Sequence, residues 1–445
     1  MKRGAALRLD YGKTFILGLG FFVITLAWSV YNSYVPIFLG DLFATVPYRT
    51  TLVGILMTLD NVAAVTLQPY FGALSDRTWT RLGRRMPFLV AGVPVAAAFF
   101  ALIPEARHAV LPMVAALIVM NLAMAAFRAP TVALMPDVTP SPLRSQANGV
   151  INFMGGAGGI VAYFGLSHLY RVSPGLPFQA TSVLMLLALV ALLLWVREPR
   201  PGEGASGGRA SQGAAVARGS QGVPVARDRA PVPRGGVLAA VAEIWRDPDR
   251  SALRLLLAIF FWFVGWSGVE ALFTLYAVGR WGMDPARASF VLGFFAVAFV
   301  IFAIPSGYLG GVLGRRRTIS VGLGGLALSL LSLSVVGPGA GVMAALAAGG
   351  MCWALVNIHS YPMVVDMAAG DRVGAYTGLY YFFSTAAAIV APPAFGLFMD
   401  VLGRGALFPS AVASLAVALA LMQGVHRGDV PGPAGAAARQ ARQAA

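Results

Sequence analysis

The chain has 445 residues, 58% of them hydrophobic and 11% charged, with a mean hydropathy of +0.74. A soluble domain carries about 25% charged residues, so this composition cannot cover a water-facing surface of such size and excludes an ordinary soluble fold. The net charge of +15 would point to nucleic acid only if the basic residues formed a patch; they fall between apolar runs, and the single cysteine, Cys352, excludes a disulfide framework or a thiol metal site.

No short apolar core followed by a small-residue cleavage site opens the chain. The first apolar run, Phe15 to Phe38, is long enough to span and is expected to remain as helix 1. A membrane-crossing helix needs about 20 mostly apolar residues. Such runs fall at Thr14–Leu39, Thr51–Leu74, Pro87–Pro104, Val110–Met135, Ala147–Leu169 and Phe178–Val196. A second set falls at Leu253–Val278, Ala286–Leu313, Thr318–Val336, Gly341–Met363, Gly374–Met399 and Leu407–Val425. The reading is an all-α membrane protein of twelve transmembrane helices in two pseudo-symmetric six-helix bundles, 1–196 and 251–425. Between them, 197–250 reads as a flexible cytoplasmic linker, and 426–445 as a disordered cytoplasmic tail, because Pro, Gly, Ala, Ser and Arg without an apolar period cannot offset the entropy of ordering.

Arginine and lysine concentrate in cytoplasmic loops. Alternate loops hold Lys2, Arg3, Arg8 and Lys13, then Arg77, Arg81, Arg84 and Arg85, then Arg144, many arginines of the linker, Arg315 to Arg317, Arg372 and Arg427. The opposite loops hold little more than Arg49, Arg107, Arg171, Arg280 and Arg404. The bias predicts a multi-pass inner-membrane protein with both termini cytoplasmic, and it accounts for the basic charge without nucleic acid. The halves also echo one another: Gly83-Arg84-Arg85 recurs as Gly314-Arg315-Arg316, and Asp137 with Arg144 recurs as Asp366 with Arg372. Repeats of this kind suit a two-bundle carrier that binds its substrate at mid-depth.

The segment from Gly72 through Asp76-Arg77 to Gly83-Arg84-Arg85 resembles the helix 2–3 signature of the major facilitator superfamily. The insertion between Asp-Arg and Gly-Arg-Arg is similar to that of glycoside–pentoside–hexuronide cation symporters. With Gln68-Pro69, Arg128 to Asp137, Arg144 to Asn148, and Ser360-Tyr361-Pro362 with Asp366, it resembles most the sucrose:proton branch. The resemblance implies alternating access, with Asp76, Arg77 and Arg84 as a gating latch supported by Gly72, Gly83 and Arg85. Physically, Gly72 and Gly83 would let backbones approach and turn, and Asp76 would face a helix N-terminus. The bland alternative is that these arginines serve only topology and anionic lipid.

Ionisable residues deep in a span are costly and usually face a cavity. Asp60 lies about ten residues into helix 2, or roughly 15 Å at the helical rise, with no partner near it in sequence. It is the candidate proton-coupling carboxyl, with Arg128 in helix 4 as its neutralising partner and Glu270 in helix 7 as a second proton site or hydroxyl acceptor. Each could instead be a static buried polar group. Plant sucrose carriers carry an acid where Asn121 stands and none at the position of Asp60, which implies a proton site moved to helix 2. Sodium-coupled relatives pair two aspartates there, whereas this chain has Asp60 and Gln68; a bare sodium ion wants more charge, so a proton is favoured.

Amides and aromatic faces bind sugars. The candidates are Asn32, Asn61, Gln68, Asn121 and Asn152 in the first half, and Trp266, Asn357, Tyr361 and Tyr380 in the second; each could equally join helices. His359 faces away from Asn357 and reads as structural. No catalytic triad, metal set or cofactor motif is visible among four scattered histidines, so an enzyme or sensor is the weakest reading. The leading one is proton-coupled symport of a disaccharide or glycoside, such as sucrose or maltose, by a monomer whose partners are sugar, protons and lipid. The alternative within transport is proton-driven efflux of drugs or metabolites, which would want a greasier cavity with fewer amides.

Overall fold

Long apolar runs in lipid must satisfy every backbone polar group within themselves, and the secondary structure follows that rule. The computed structural model describes residues 9–140, 143–198, 249–368 and 373–429. The linker from 199 to 248, the tail from 430 and Arg372 lie outside the described residues, so the expectations made for them stand apart from this structure.

The first half contains α1 (Tyr11–Leu42), α2 (Arg49–Met57), α3 (Leu59–Arg77), α4 (Met86–Ala106), α5 (Val110–Val138) and α6 (Arg144–Ile160). A π-helical turn at Val161–Leu166 carries α6 into the short α7 (Ser167–Tyr170), and α8 (Leu176–Trp195) follows. The second half contains α9 (Ser251–Trp281), α10 (Pro285–Leu313), α11 (Arg315–Leu333), α12 (Ala340–Val365), α13 (Val373–Val401) and α14 (Leu407–Gln423). The boundaries have local causes. Proline opens α4, α8 and α10, where its missing N–H is not needed. Asp284 caps α10 by accepting from the Arg287 amide at 3.2 Å, and Gly282, at φ 62°, ends α9.

Among the described residues, eleven segments are long and apolar enough to cross a membrane, with α2 and α3 together forming one of them. The twelfth, α11, is 19 residues long and falls short in hydropathy, because three arginines fill its first turn and glycines and serines dilute the rest. The chain is thus an all-helical, multi-pass membrane protein.

The described helices form two compact units. In the first, α1 packs on α6 and α8, α5 packs on α3 and α4, and α4 packs on α8. In the second, α9 packs on α13 and α14, α12 packs on α10 and α11, and α11 packs on α14. Counted by crossing, the two pairing schemes are the same, so the echo of short motifs reflects a duplicated packing plan. One element departs from sequence order. Helix 2 is interrupted at Thr58, and its first segment, α2, packs on α13 in the second unit, while α3 packs on α5 in the first.

Candidate functional site

Between α3 and α4 the chain must reverse tightly. Gly83 makes this possible at φ 112°, and a Cβ there would lie 2.6 Å from the Glu198 carboxyl carbon. Glu198 stands three residues past α8, and its carboxylate accepts from the backbone amides of Arg84, Arg85 and Met86 at 2.8, 2.9 and 2.9 Å. A carboxylate on a helix N-terminus satisfies donors that lack intrahelical partners and complements the dipole.

Arg85, only 3% exposed, is the hub of this segment. Its guanidinium donates to Asp76, to Ser75 Oγ, to the Gly72 carbonyl and, at 2.9 Å, to Asp137. Arg84 makes a two-point pair with the same Asp137 and lies over the Trp79 ring at 5.9 Å. Arg77, expected in the latch, is exposed and makes no ion pair among the described residues. Gly72, expected to permit close backbone approach, has room for a methyl group, its nearest neighbour being Ala129 Cβ at 3.7 Å; its carbonyl is what the network uses. The second unit repeats the theme with altered wiring. Arg315 pairs with Asp366, and Asp429 accepts from the Arg316 amide at 3.1 Å. The Arg316 side chain turns instead to the end of α14, donating to the carbonyls of Met422 and Gln423.

Midway along the first unit, α1, α3 and α5 bring polar groups together. Asp60 sits in the first turn of α3 and is half-buried. It does have a local partner, contrary to expectation: Asn61 donates to Asp60 Oδ1 through its backbone amide at 2.6 Å and its side chain at 2.7 Å. Arg128, also half-buried, lies where it feels the Asp60 charge, and so does Tyr31. Asn121 is buried beside Tyr31 and anchors itself by donating to the Leu117 carbonyl at 2.9 Å. Gln68 is buried eight residues further along α3, and Asn152 donates to the Asn148 carbonyl at 2.8 Å. Asn32 is half-buried on α1.

In the second unit, Trp266, Tyr361 and Tyr380 fall within one aromatic array. Trp266 stacks on Phe295 with ring centres 3.6 Å apart and tilts against Trp353 at 5.8 Å. Phe263 bridges Trp353 to Tyr380, at 5.5 and 6.4 Å, and Tyr361 meets Tyr380 at 5.4 Å. The tyrosine hydroxyls face neighbouring hydroxyls: Tyr380 with Ser360, and Tyr361 with Thr377, both at 3.2 Å. Glu270 is half-buried one turn past Trp266, and Asn357 is half-buried one turn before Tyr361. His359 is buried and donates from Nε2 to the Ser306 carbonyl at 2.9 Å, a bond that ties α12 to α10.

Sequence reading missed Glu198, the central place of Arg85, Tyr31 beside Asp60, and Phe263, Phe295 and Trp353 as bridges of the array. The ion-pair network itself was foreshadowed by the latch expected of Asp76 and its neighbouring arginines and by the recurrence of Asp137 as Asp366, but not its centre on Arg85.

The Major Facilitator Superfamily profile aligns with residues 17–284 and 276–444. A general alpha-glucoside permease of Schizosaccharomyces pombe is 26% identical over 189 residues, which span 39% of this chain and 34% of that protein. The chain is therefore matched to about a third of that relative's length. Among solved structures, the nucleoside transporter NupG superposes with a TM-score of 0.71 at 12% identity, covering 93% of this chain and all 100% of the other. A D-xylose-proton symporter superposes with a TM-score of 0.67 at 15% identity, covering 94% and 98%. At such identities the likeness is one of fold.

Proposed function

The chain belongs to the Major Facilitator Superfamily, and we propose that it is a proton-coupled symporter of a disaccharide or glycoside. The observation that carries the reading is the grouping of Asp60, Arg128, Tyr31 and Asn121 in the first unit. In this reading Asp60, which accepts from Asn61 and lies within the field of the Arg128 guanidinium, alternates between a carboxylate paired with that charge and a neutral acid. Such a group binds a proton on one side of the membrane and yields it on the other. The aromatic array around Trp266 and Tyr380 supports a sugar, since aromatic faces cover the apolar side of a pyranose while hydroxyls and amides meet its edge. The alpha-glucoside permease likeness leans the same way. In this reading the protein works as a single chain in the inner membrane, with both termini in the cytoplasm, and Arg84, Arg85, Asp76 and Asp137 hold that side closed for part of the cycle.

The test is uptake of labelled sucrose and maltose into vesicles under an imposed pH gradient. Asp60→Asn should abolish accumulation against a gradient while leaving exchange of internal for external sugar largely intact. Full accumulation by that variant would remove Asp60 from coupling. No pH-stimulated uptake of any sugar by the unaltered protein would remove the symport reading itself.

A further inference from the structure

The aromatic array of the second unit has a buried side and an open side. Trp266 is 8% exposed, with one face covered by Phe295 at 3.6 Å and 9° between the planes, while Trp353 is 4% and Tyr380 7% exposed. Little of these three rings is left to meet a ligand. The half-buried members are Phe263 on α9, Tyr361 on α12 and Tyr381 on α13. Tyr380 stands edge-on to two of them, meeting Tyr361 at 5.4 Å and 73° and Tyr381 at 5.3 Å and 78°. Tyr361 and Tyr381 themselves lie 6.3 Å apart with their planes at 35°.

The polar groups divide in the same way. Two of the three tyrosine hydroxyls are spent, Tyr380 on Ser360 and Tyr361 on Thr377. The Tyr381 hydroxyl and the half-buried Asn357 side-chain amide have no hydrogen-bond partner among the described residues. Beyond the helix ladder, both residues are bonded only through their backbone carbonyls, which accept from the Ser384 hydroxyl at 3.2 Å and the Ser360 hydroxyl at 2.7 Å. Asn357 lies one turn before Tyr361, on the same face of α12. Thr377 lies one turn before Tyr381 and touches the Tyr361 hydroxyl, so this face of α13 looks onto α12. An unspent phenol, an unspent amide and rings held at fixed angles are the groups that bind a polyol: the rings cover its apolar face, and the hydroxyl and amide meet its edge.

We propose that Tyr381 is the residue of this array that touches the transported sugar. Its ring lies against the apolar face and its hydroxyl bonds one sugar hydroxyl, with Tyr361 and Asn357 beside it. Tyr380 and Trp266 act through these rings as positioning residues that fix their angles. The assignment rests on the proposed sugar symport for its ligand.

Tyr381→Phe keeps the ring and removes only the oxygen. Equilibrium binding of sucrose or maltose to the full chain in nanodiscs should weaken about three- to tenfold, the value of one hydrogen bond. Among monodeoxy analogues of the sugar that binds, the one lacking the bonded hydroxyl should bind both forms of the protein alike. Unchanged affinity for the parent sugar, or an equal penalty for every analogue, would overturn the contact. A second variant does not depend on affinity. Tyr381→Cys, in a Cys352→Ser background, should react with a water-soluble maleimide, and the sugar should slow that reaction. A thiol at 381 that water-soluble reagent does not reach would refute the site even in an active symporter. Reaction at 381 in a protein that binds no sugar would instead refute the symport reading, and this residue's role with it.

Discussion

The start of α2 depends on a residue about 350 positions away. Tyr48 enters the helix at φ 56°, a left-handed conformation that costs a non-glycine residue about 1–2 kcal/mol, and it offers no side-chain cap. The free amides are met by Asp400 on α13, which accepts from Thr50 N at 3.1 Å, Thr51 N at 2.8 Å and Thr51 Oγ1 at 2.7 Å. At the other end, Thr58 Oγ1 donates to the Ile389 carbonyl at 3.1 Å. Between these anchors the two helices touch backbone to backbone: a Cβ on Gly54 would lie 2.2 Å from the Pro392 carbonyl oxygen, and one on Gly396 would lie 2.4 Å from that of Thr50. Asp400→Ala removes three hydrogen bonds, two of them to the helix N-terminus. Loss of a cap costs about 0.5–2 kcal/mol, and with a half-buried carboxylate the upper part of that range applies. Local opening of α2 should then become about ten- to thirtyfold more frequent. Hydrogen exchange read on a peptide spanning residues 46–57 measures this directly. Gly54→Ala should accelerate the same peptide by forcing the backbones apart, and residues 380–388 of α13 should be unaffected by either change. Unaltered exchange at Thr50 and Thr51 in Asp400→Ala would refute the cap.

Two further expectations concern the loops. Arg85→Met should lower unfolding stability in detergent by about 3 kcal/mol, the lower end for breaking a buried pair, because Asp76 and Asp137 lose a donor that is 4% exposed; Arg77→Ala should change it by under about 0.5 kcal/mol, and equal losses would contradict the assignment of Arg85 as hub. At the start of α9, the Ser251 hydroxyl donates to Asp249 at 2.6 Å and holds its carboxyl below the ordinary range, with Arg427 at 3.7 Å adding to the effect. Since the folded value is depressed, this contribution is complete above about pH 4, the ordinary carboxylate value, and is lost as pH falls from there through the lower folded value. Asp249→Asn should therefore flatten a small acid-side loss of stability, and an unchanged acid limb would remove Asp249 from it.

The crossings were legible because length and apolarity are one-dimensional properties, and eleven of twelve helical crossings carry them plainly. What escaped the sequence is direction. Four arginines fall between positions 77 and 85, and nothing in their spacing says that Arg85 turns inward while Arg77 faces out. Glu198 is over a hundred positions from the amides it caps, and no local pattern marks it. The interruption at Thr58 has neither glycine nor proline to announce it, since the helix breaks where α2 is held to α13 rather than where propensity is poor. Asp60 takes its donor from the very next residue, Asn61, whose amide is equally suited to a sugar hydroxyl, so sequence alone does not distinguish the two uses.

The duplicated packing plan sharpens the meaning of these departures. If both units descend to one scheme of helix pairs, differences between equivalent positions mark where the halves have been put to different use. Arg85 binds two carboxylates, whereas Arg316 binds the carbonyl end of α14. The first unit sets Asp60 in the field of Arg128, whereas the second sets Glu270 one turn past Trp266, which stacks on Phe295 and tilts against Trp353. Under the proposed symport, substitutions at Asp60 should alter coupling and those at Trp266 or Tyr380 should alter affinity, and a loss of coupling in Trp266→Ala with affinity unchanged would contradict that division of roles.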